Sequence, residues 1–149
     1  MSAKEIKALE RRWFEESNKG KAAAMAIIDE LHITDYVFHG GTGEEIRSLK
    51  DYKQYMSGFY SAFPDLHVTI DGMVVEDGKV AIRWTMSGTH RGEIEGVPPT
   101  GKKMTIWGIS IERVVGGKFV ETWERYDSLG FMQQLGLVPT PGKNKRQPL

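Results

Sequence analysis

The chain has 149 residues, no cysteine, and 20 basic against 20 acidic side chains, for a formal net charge of zero. That length suits one core-forming domain, and the lack of cysteine excludes disulfides, thiolate metal sites and a cysteine nucleophile. The basic residues are interleaved with acidic ones, so no patch offers the phosphate neutralisation of nucleic-acid binding, and no apolar run approaches the roughly 20 residues of a membrane span.

The N-terminal stretch MSAKEIKALERRWFEE is charged and lacks the apolar centre of a signal peptide, so the expected location is cytoplasmic. From about Ser2 to Asn18, Ile6, Leu9, Trp13 and Phe14 recur at helical spacings, with Ser2 and Glu5 spaced as a capping box. Gly20 breaks this helix, and AAAMAIIDELH predicts a second one ending near His32 and packed on the first as a hairpin. ITDYVFHGGTGEE reads as a short extended piece followed by a glycine-rich loop. Ser48 to Phe63 predicts a third helix with an aromatic stripe at Tyr52, Tyr55, Phe59 and Tyr60, ended by Pro64.

From Leu66 the pattern changes to alternation. LHVTIDGMVVED and KVAIRWTMSGTHRG predict a hairpin turning at Asp77-Gly78; KMTIWGISIERVV and KFVETWERYD predict a second around Gly116-Gly117. The loop EIEGVPPTGKK joins them, and SLGFMQQLG, capped by Asp127, forms a short last helix. Helices first, then a four-strand antiparallel meander, then a helix describe an α+β domain whose helices cover one face of a curved sheet. Residues 1–149 are expected to form a single domain, with a tail from about residue 137 that lies extended or frays.

The strand FVETWERYD carries the residues of greatest chemical interest. Val120, Thr122, Glu124 and Tyr126 share one parity; Phe119, Glu121, Trp123 and Arg125 share the other. Glu121 and Glu124 therefore point in opposite directions, and only one can look into a cavity on the concave side. Alternation leaves the choice open. His90 shares parity with Val80, Ile82, Trp84 and Met86, which places it at the end of an apolar face, where it either donates to a developing oxyanion or pins the following loop. His39, before Gly40-Gly41, is assigned to the pocket mouth; His32 and His67 read as structural. The histidines show neither H-x-H nor H-E-x-x-H spacing, so no metal is expected. P-loop, dinucleotide and G-x-S-x-G motifs are absent. Trp107, Ile109 and Ile111 fall opposite Ser110 on an outer face too apolar for water, which points to a homodimer contact.

The pieces FPDLH, GTHRGEIEGVPPTGKK, GGKFVETWERYD and GFMQQLG together resemble the SnoaL-like polyketide cyclase family, also labelled ester cyclases, over nearly the whole chain. The run Gly96-Val97-Pro98-Pro99-Thr100-Gly101 is the most specific of them. The resemblance implies a cone, in which helices and a strongly curved, mainly antiparallel sheet enclose an internal pocket. It also implies a chemistry, the intramolecular aldol closure of a polyketide ester by one acidic residue on the last long strand. Matching through W-E-R-Y-D and the downstream Gly130 puts that role on Glu124, one methylene longer than the family's aspartate. Ser110 stands where those cyclases place a histidine, while His90 matches a histidine they also carry.

On this reading Glu124 is the acid/base and His90 its catalytic partner. Trp13, Tyr52, Met56, Phe59, Trp84, Ser110 and Tyr126, with His39, contact a small hydrophobic carbonyl-containing substrate, and no cofactor is required. Competing expectations keep the cone and change its use, to isomerisation, to epoxide hydrolysis, or to a pocket that only sequesters an apolar ligand.

Overall fold

A computed structural model describes residues 1–141, and in it the sequence pattern becomes four helices on one six-stranded sheet. The first helix, α1 (Ala3–Ser17), opens with the expected capping box. Ser2 Oγ accepts from the Glu5 backbone N–H at 3.1 Å, and the Glu5 carboxylate accepts from the Ser2 N–H at 2.9 Å. Its buried stripe is Ile6, Glu10, Trp13 and Ser17, so one carboxyl lies among the core positions. The second helix, α2 (Lys21–Leu31), packs on α1 and ends at His32, whose Nδ1 bonds the Ile28 carbonyl oxygen at 3.0 Å. Burial pushes that imidazole down to about 4, which keeps it neutral among Trp13, Tyr36 and Phe119.

The expected extended piece is present as β1 (His32–His39), and the glycine-rich loop after it leads into a two-residue strand that the sequence did not announce, β2 (Glu45–Ile46). Helix α3 (Leu49–Ala62), capped by Ser48 on the Asp51 N–H, then crosses against β1. The expected meander is present as β3 (His67–Glu76), β4 (Lys79–Thr89), β5 (Lys103–Val115) and β6 (Lys118–Tyr126), antiparallel throughout. The sheet order is β2-β1-β6-β5-β4-β3, with β1 joined to β6 in parallel. The sheet is thus mixed and mainly antiparallel, the expected four-strand meander being extended at one edge by β1 and β2. Asp127 caps the last helix, α4 (Ser128–Gln134), by accepting from the Gly130 N–H at 2.9 Å. Residues 137–141 carry neither helix nor strand; the rest of the expected tail, 142–149, lies outside the described residues.

Alternation along β5 is strict: Met104, Ile106, Ser110, Glu112 and Val114 are buried, whereas Trp107, Ile109 and Ile111 are exposed. On β6 it breaks once. Val114 pairs with Phe119 but Arg113 pairs with Glu121, so Val120 is an extra residue and the phase slips by one. Phe119, which simple alternation groups with Glu121 on the outer face, is consequently fully buried in the core. Among the described residues no helix is long and apolar enough to cross a membrane.

Candidate active site

Between the helices and the inner face of the sheet lies a cavity of about 110 Å³. Its walls are mostly aromatic or aliphatic, drawn from α1 (Trp13, Phe14), β1 (Tyr36, Phe38), α3 (Tyr52, Met56) and β4 (Trp84, Met86). Polar groups enter it from β5 and β6, which contribute Ser110, Glu112, Thr122 and Glu124. Register explains the grouping. Ser110 pairs directly with Glu124, and Glu112 with Thr122, so the four inward side chains form a compact square on two adjacent strands.

Glycine makes room for the tryptophan above that square. A Cβ on Gly108 would stand 2.6 Å from the Trp84 indole, so only glycine lets the ring lie across β5. The indole N–H then donates to Ser110 Oγ at 2.9 Å, and Ser110 Oγ–H donates to Glu124 Oε1 over a long 3.5 Å. Glu124 is enclosed by protein yet keeps some accessible surface, as a group on a cavity wall does. Burial pushes its carboxyl up to about 7, with the Glu44 charge adding to the rise and Ser110 opposing it. No lysine, arginine or histidine among the described residues forms an ion pair with it. Arg83, a conceivable partner, instead approaches Asp71 at 4.0 Å on an exposed surface. Arg125 spends its guanidinium on the carbonyl oxygens of Gly40 and Glu124.

Of the residues picked from the sequence, Glu124, Trp13, Tyr52, Met56, Phe59, Trp84 and Ser110 all line this cavity. Tyr126 lines instead a neighbouring hollow of about 290 Å³, which shares Tyr55 and Phe59 with the first and carries Glu44, Glu93 and Glu95. His39 lies on the opposite face of the sheet, because Phe38 takes the inward position of β1. Its ring stacks on Trp123 and bonds Glu45 at 2.6 Å and Glu121 at 2.8 Å. These carboxylates, Glu121 foremost, raise its pKa. His90 is buried at the end of β4, stacked on Phe63 and away from the cavity walls. Its Nδ1 accepts from the Thr100 N–H at 3.2 Å, which fastens the loop that returns to β5.

Sequence reasoning passed over Glu10 and Glu112. Both were accessible to it: Glu10 follows Ile6 by four and precedes Trp13 by three, and Glu112 shares parity with Ser110. Among the described residues no three His, Cys, Asp or Glu side chains converge as a metal site.

A profile of the SnoaL-like polyketide cyclase family matches residues 8–135, most of the chain. The chain belongs to that family. Solved structures agree with the assignment across almost all of this SnoaL-like chain. AclR of Streptomyces galilaeus, a candidate hydroxylase, is 32% identical with a TM-score of 0.81, over 93% of this chain and 100% of its own. TsrD of Streptomyces laurentii is 26% identical with a TM-score of 0.80, over 93% and 99%. IdmH of Streptomyces antibioticus, a candidate polyketide cyclase, is 28% identical with a TM-score of 0.74, over 87% and 97%. No curated protein matches the sequence.

Proposed function

We propose that this SnoaL-like protein is a cofactor-independent cyclase in which Glu124 takes a proton from an activated carbon of a neutral, carbonyl-rich substrate. The observation that carries the reading is a carboxyl without a cationic partner on the wall of an apolar cavity, with its pKa near 7. Such a group is ionised in a large fraction of molecules at neutral pH yet basic enough to accept a proton from carbon. A carbon between two carbonyls loses that proton, the enolate so formed attacks a second carbonyl of the same folded chain, and confinement supplies proximity.

The volumes and charges narrow the substrate. A cavity of about 110 Å³ holds the reacting segment only, and the adjoining hollow of about 290 Å³ offers space for the remainder. Glu124 inside, and Glu44, Glu93 and Glu95 in the hollow, oppose a free carboxylate and favour an ester or another neutral compound. The same reading places the protein in the cytoplasm and pairs two copies through Trp107, Ile109 and Ile111.

The similarity to AclR, a candidate hydroxylase, favours one alternative, hydroxylation of the substrate by dioxygen with an external two-electron reductant. Dioxygen uptake on turnover separates it from ring closure.

Deuterium incorporation into a panel of β-keto esters in heavy water tests the base without the native substrate. Wild type should accelerate exchange ~10²- to 10⁴-fold, and Glu124→Gln should remove that acceleration. Equal exchange rates for the two proteins, both folded, would point to a sequestering pocket.

A further inference from the structure

Glu112 lines the same cavity as Glu124 and is only 4% exposed, yet deprotonation by Glu124 gives it nothing to do. Behind it stands Glu10 of α1, which is 0% exposed, and neither of its carboxyl oxygens meets a hydrogen-bond donor among the described residues. The two carboxyl groups lie against each other. Neither forms an ion pair with a basic side chain in the described residues. Two carboxylates cannot face each other in such surroundings while both are charged, so at least one proton resides on the pair.

The donors around them assign the roles. Tyr36 O–H donates to Thr122 Oγ1 at 2.5 Å, which leaves the threonine hydrogen free for Glu112, its register partner across the strands. Glu112 thus has Thr122 on one side and the Glu10 O–H on the other, two donors that stabilise it after it loses a proton. Glu10 has no such support and keeps its proton. Burial raises both groups, and the Glu124 charge raises Glu112 further, so ionisation of Glu124 favours the proton staying on Glu112. The groups facing Glu112 are Glu10 from α1, Tyr36 from β1, Tyr52 from α3, and Thr122 and Glu124 from β6, none of them basic.

We infer that Glu112 is a second catalytic acid of this cavity, which donates to the acceptor carbonyl oxygen of the substrate, with Glu10 as the positioning residue whose retained O–H stabilises the charge left on Glu112. The inference rests on the cyclisation reading of Glu124. Inward positions two residues apart on β5 are roughly 7 Å from each other at strand spacing, so a substrate can present a carbon to Glu124 beside Ser110 and an oxygen to Glu112. The step balances. Glu124 takes the proton of the C–H bond, the enolate carbon bonds the acceptor carbonyl carbon, and the electron pair of that C=O moves to oxygen, which takes the Glu112 proton. Product is a ring hydroxyl. Glu124 is left protonated and the Glu10–Glu112 pair singly charged, and water returns the proton between them after release. The ligand class is a neutral compound with an enolisable carbon and a separate ketone carbonyl.

Glu112→Gln and Glu10→Gln preserve shape and remove buried acids, so both should fold. Exchange and ring closure are measured on the β-keto ester panel, each member extended by a second carbonyl. Glu112→Gln should lower the ratio of closure to exchange ~10²- to 10⁴-fold, and Glu10→Gln should shift the alkaline limb of the closure pH profile. Wild-type closure in Glu112→Gln, or an equal fall in both rates, overturns the inference and leaves the Glu124 reading standing. Loss of the Glu124 reading has a different mark, unaltered exchange in Glu124→Gln. Should wild type close no member of the panel, infrared spectra of the free protein in heavy water decide. A protonated-carboxyl stretch at neutral pH that weakens in Glu112→Gln supports the inference, and an unchanged spectrum overturns it.

Discussion

Glu124 receives one long hydrogen bond, from Ser110 at 3.5 Å, in a cavity walled by Tyr52, Met56 and Trp84. The same burial that lifts its pKa from 4.5 to about 7 works against folding. The sign follows from proton binding: below 4.5 both folded and unfolded chains are protonated there and the cost vanishes. Between 4.5 and 7 the unfolded chain releases its proton first, so stability falls as pH rises, and above 7 the full penalty remains. A shift of that size corresponds to about 3 kcal/mol. Glu124→Gln should therefore melt higher than wild type at pH 8, with the gap closing as the pH approaches 4.5. Thermal unfolding over that range checks it. A variant less stable at pH 8 would mean that the carboxylate has a strong donor, and the account of its basicity would fail.

Strands and loops hold those residues in place, and the loop between β4 and β5 shows how. The N–H groups of Arg91 and Gly92 both donate to the Ala62 carbonyl oxygen, at 2.9 and 3.1 Å, which seats the loop on the end of α3. A Cβ on Gly92 would come within 2.4 Å of the Ser61 carbonyl oxygen, a backbone atom that cannot swing aside. Gly92→Ala should destabilise by about 1–3 kcal/mol, measured as a lower denaturation midpoint at unchanged slope. An unaltered midpoint would show that the loop is not clamped there. The elements themselves were legible where the signal is local: the Ser2–Glu5 capping box, the Asp127 cap and the alternation of β5 all stand at their expected places. What sequence alone missed depends on distant pairing. The parallel alignment of β1 with β6 has no local mark, and without that pairing His39 could not be assigned to the outer face. The slip at Val120 is likewise set by pairing with β5, which is why Phe119 reads as outward and is buried. At the site, a carboxyl at a core position was the visible sign of Glu10 and Glu112. Their contact, which gives the sign its meaning, joins α1 to β5 across the fold.

For the whole molecule, the convex face of the sheet presents Trp107, Ile109, Ile111 and Trp123, which are 55%, 45%, 41% and 38% exposed. Ile111 and Trp123 are register partners, as are Ile109 and Arg125, so the patch is continuous across β5 and β6. His39, Glu121 and Arg113 border it with polar groups, in the manner of an apolar centre within a charged rim. We propose that this face meets the same face of a second copy about a two-fold axis, the arrangement in which one patch supplies both sides of a contact. Ile109→Lys places a charge at the centre of the patch while leaving the inward residues of β5 untouched. Sedimentation should give a dimer mass for wild type at micromolar concentration and a monomer mass for the variant. The melting temperature should rise with protein concentration in wild type alone, because association stabilises only the folded chain. A monomeric wild type would refute the contact. Since Glu124, Ser110 and Glu112 point to the other side of the sheet, a folded Ile109→Lys monomer should retain exchange activity per chain. Activity lost together with the dimer would mean that the contact supports the cavity through the strands that the two faces share.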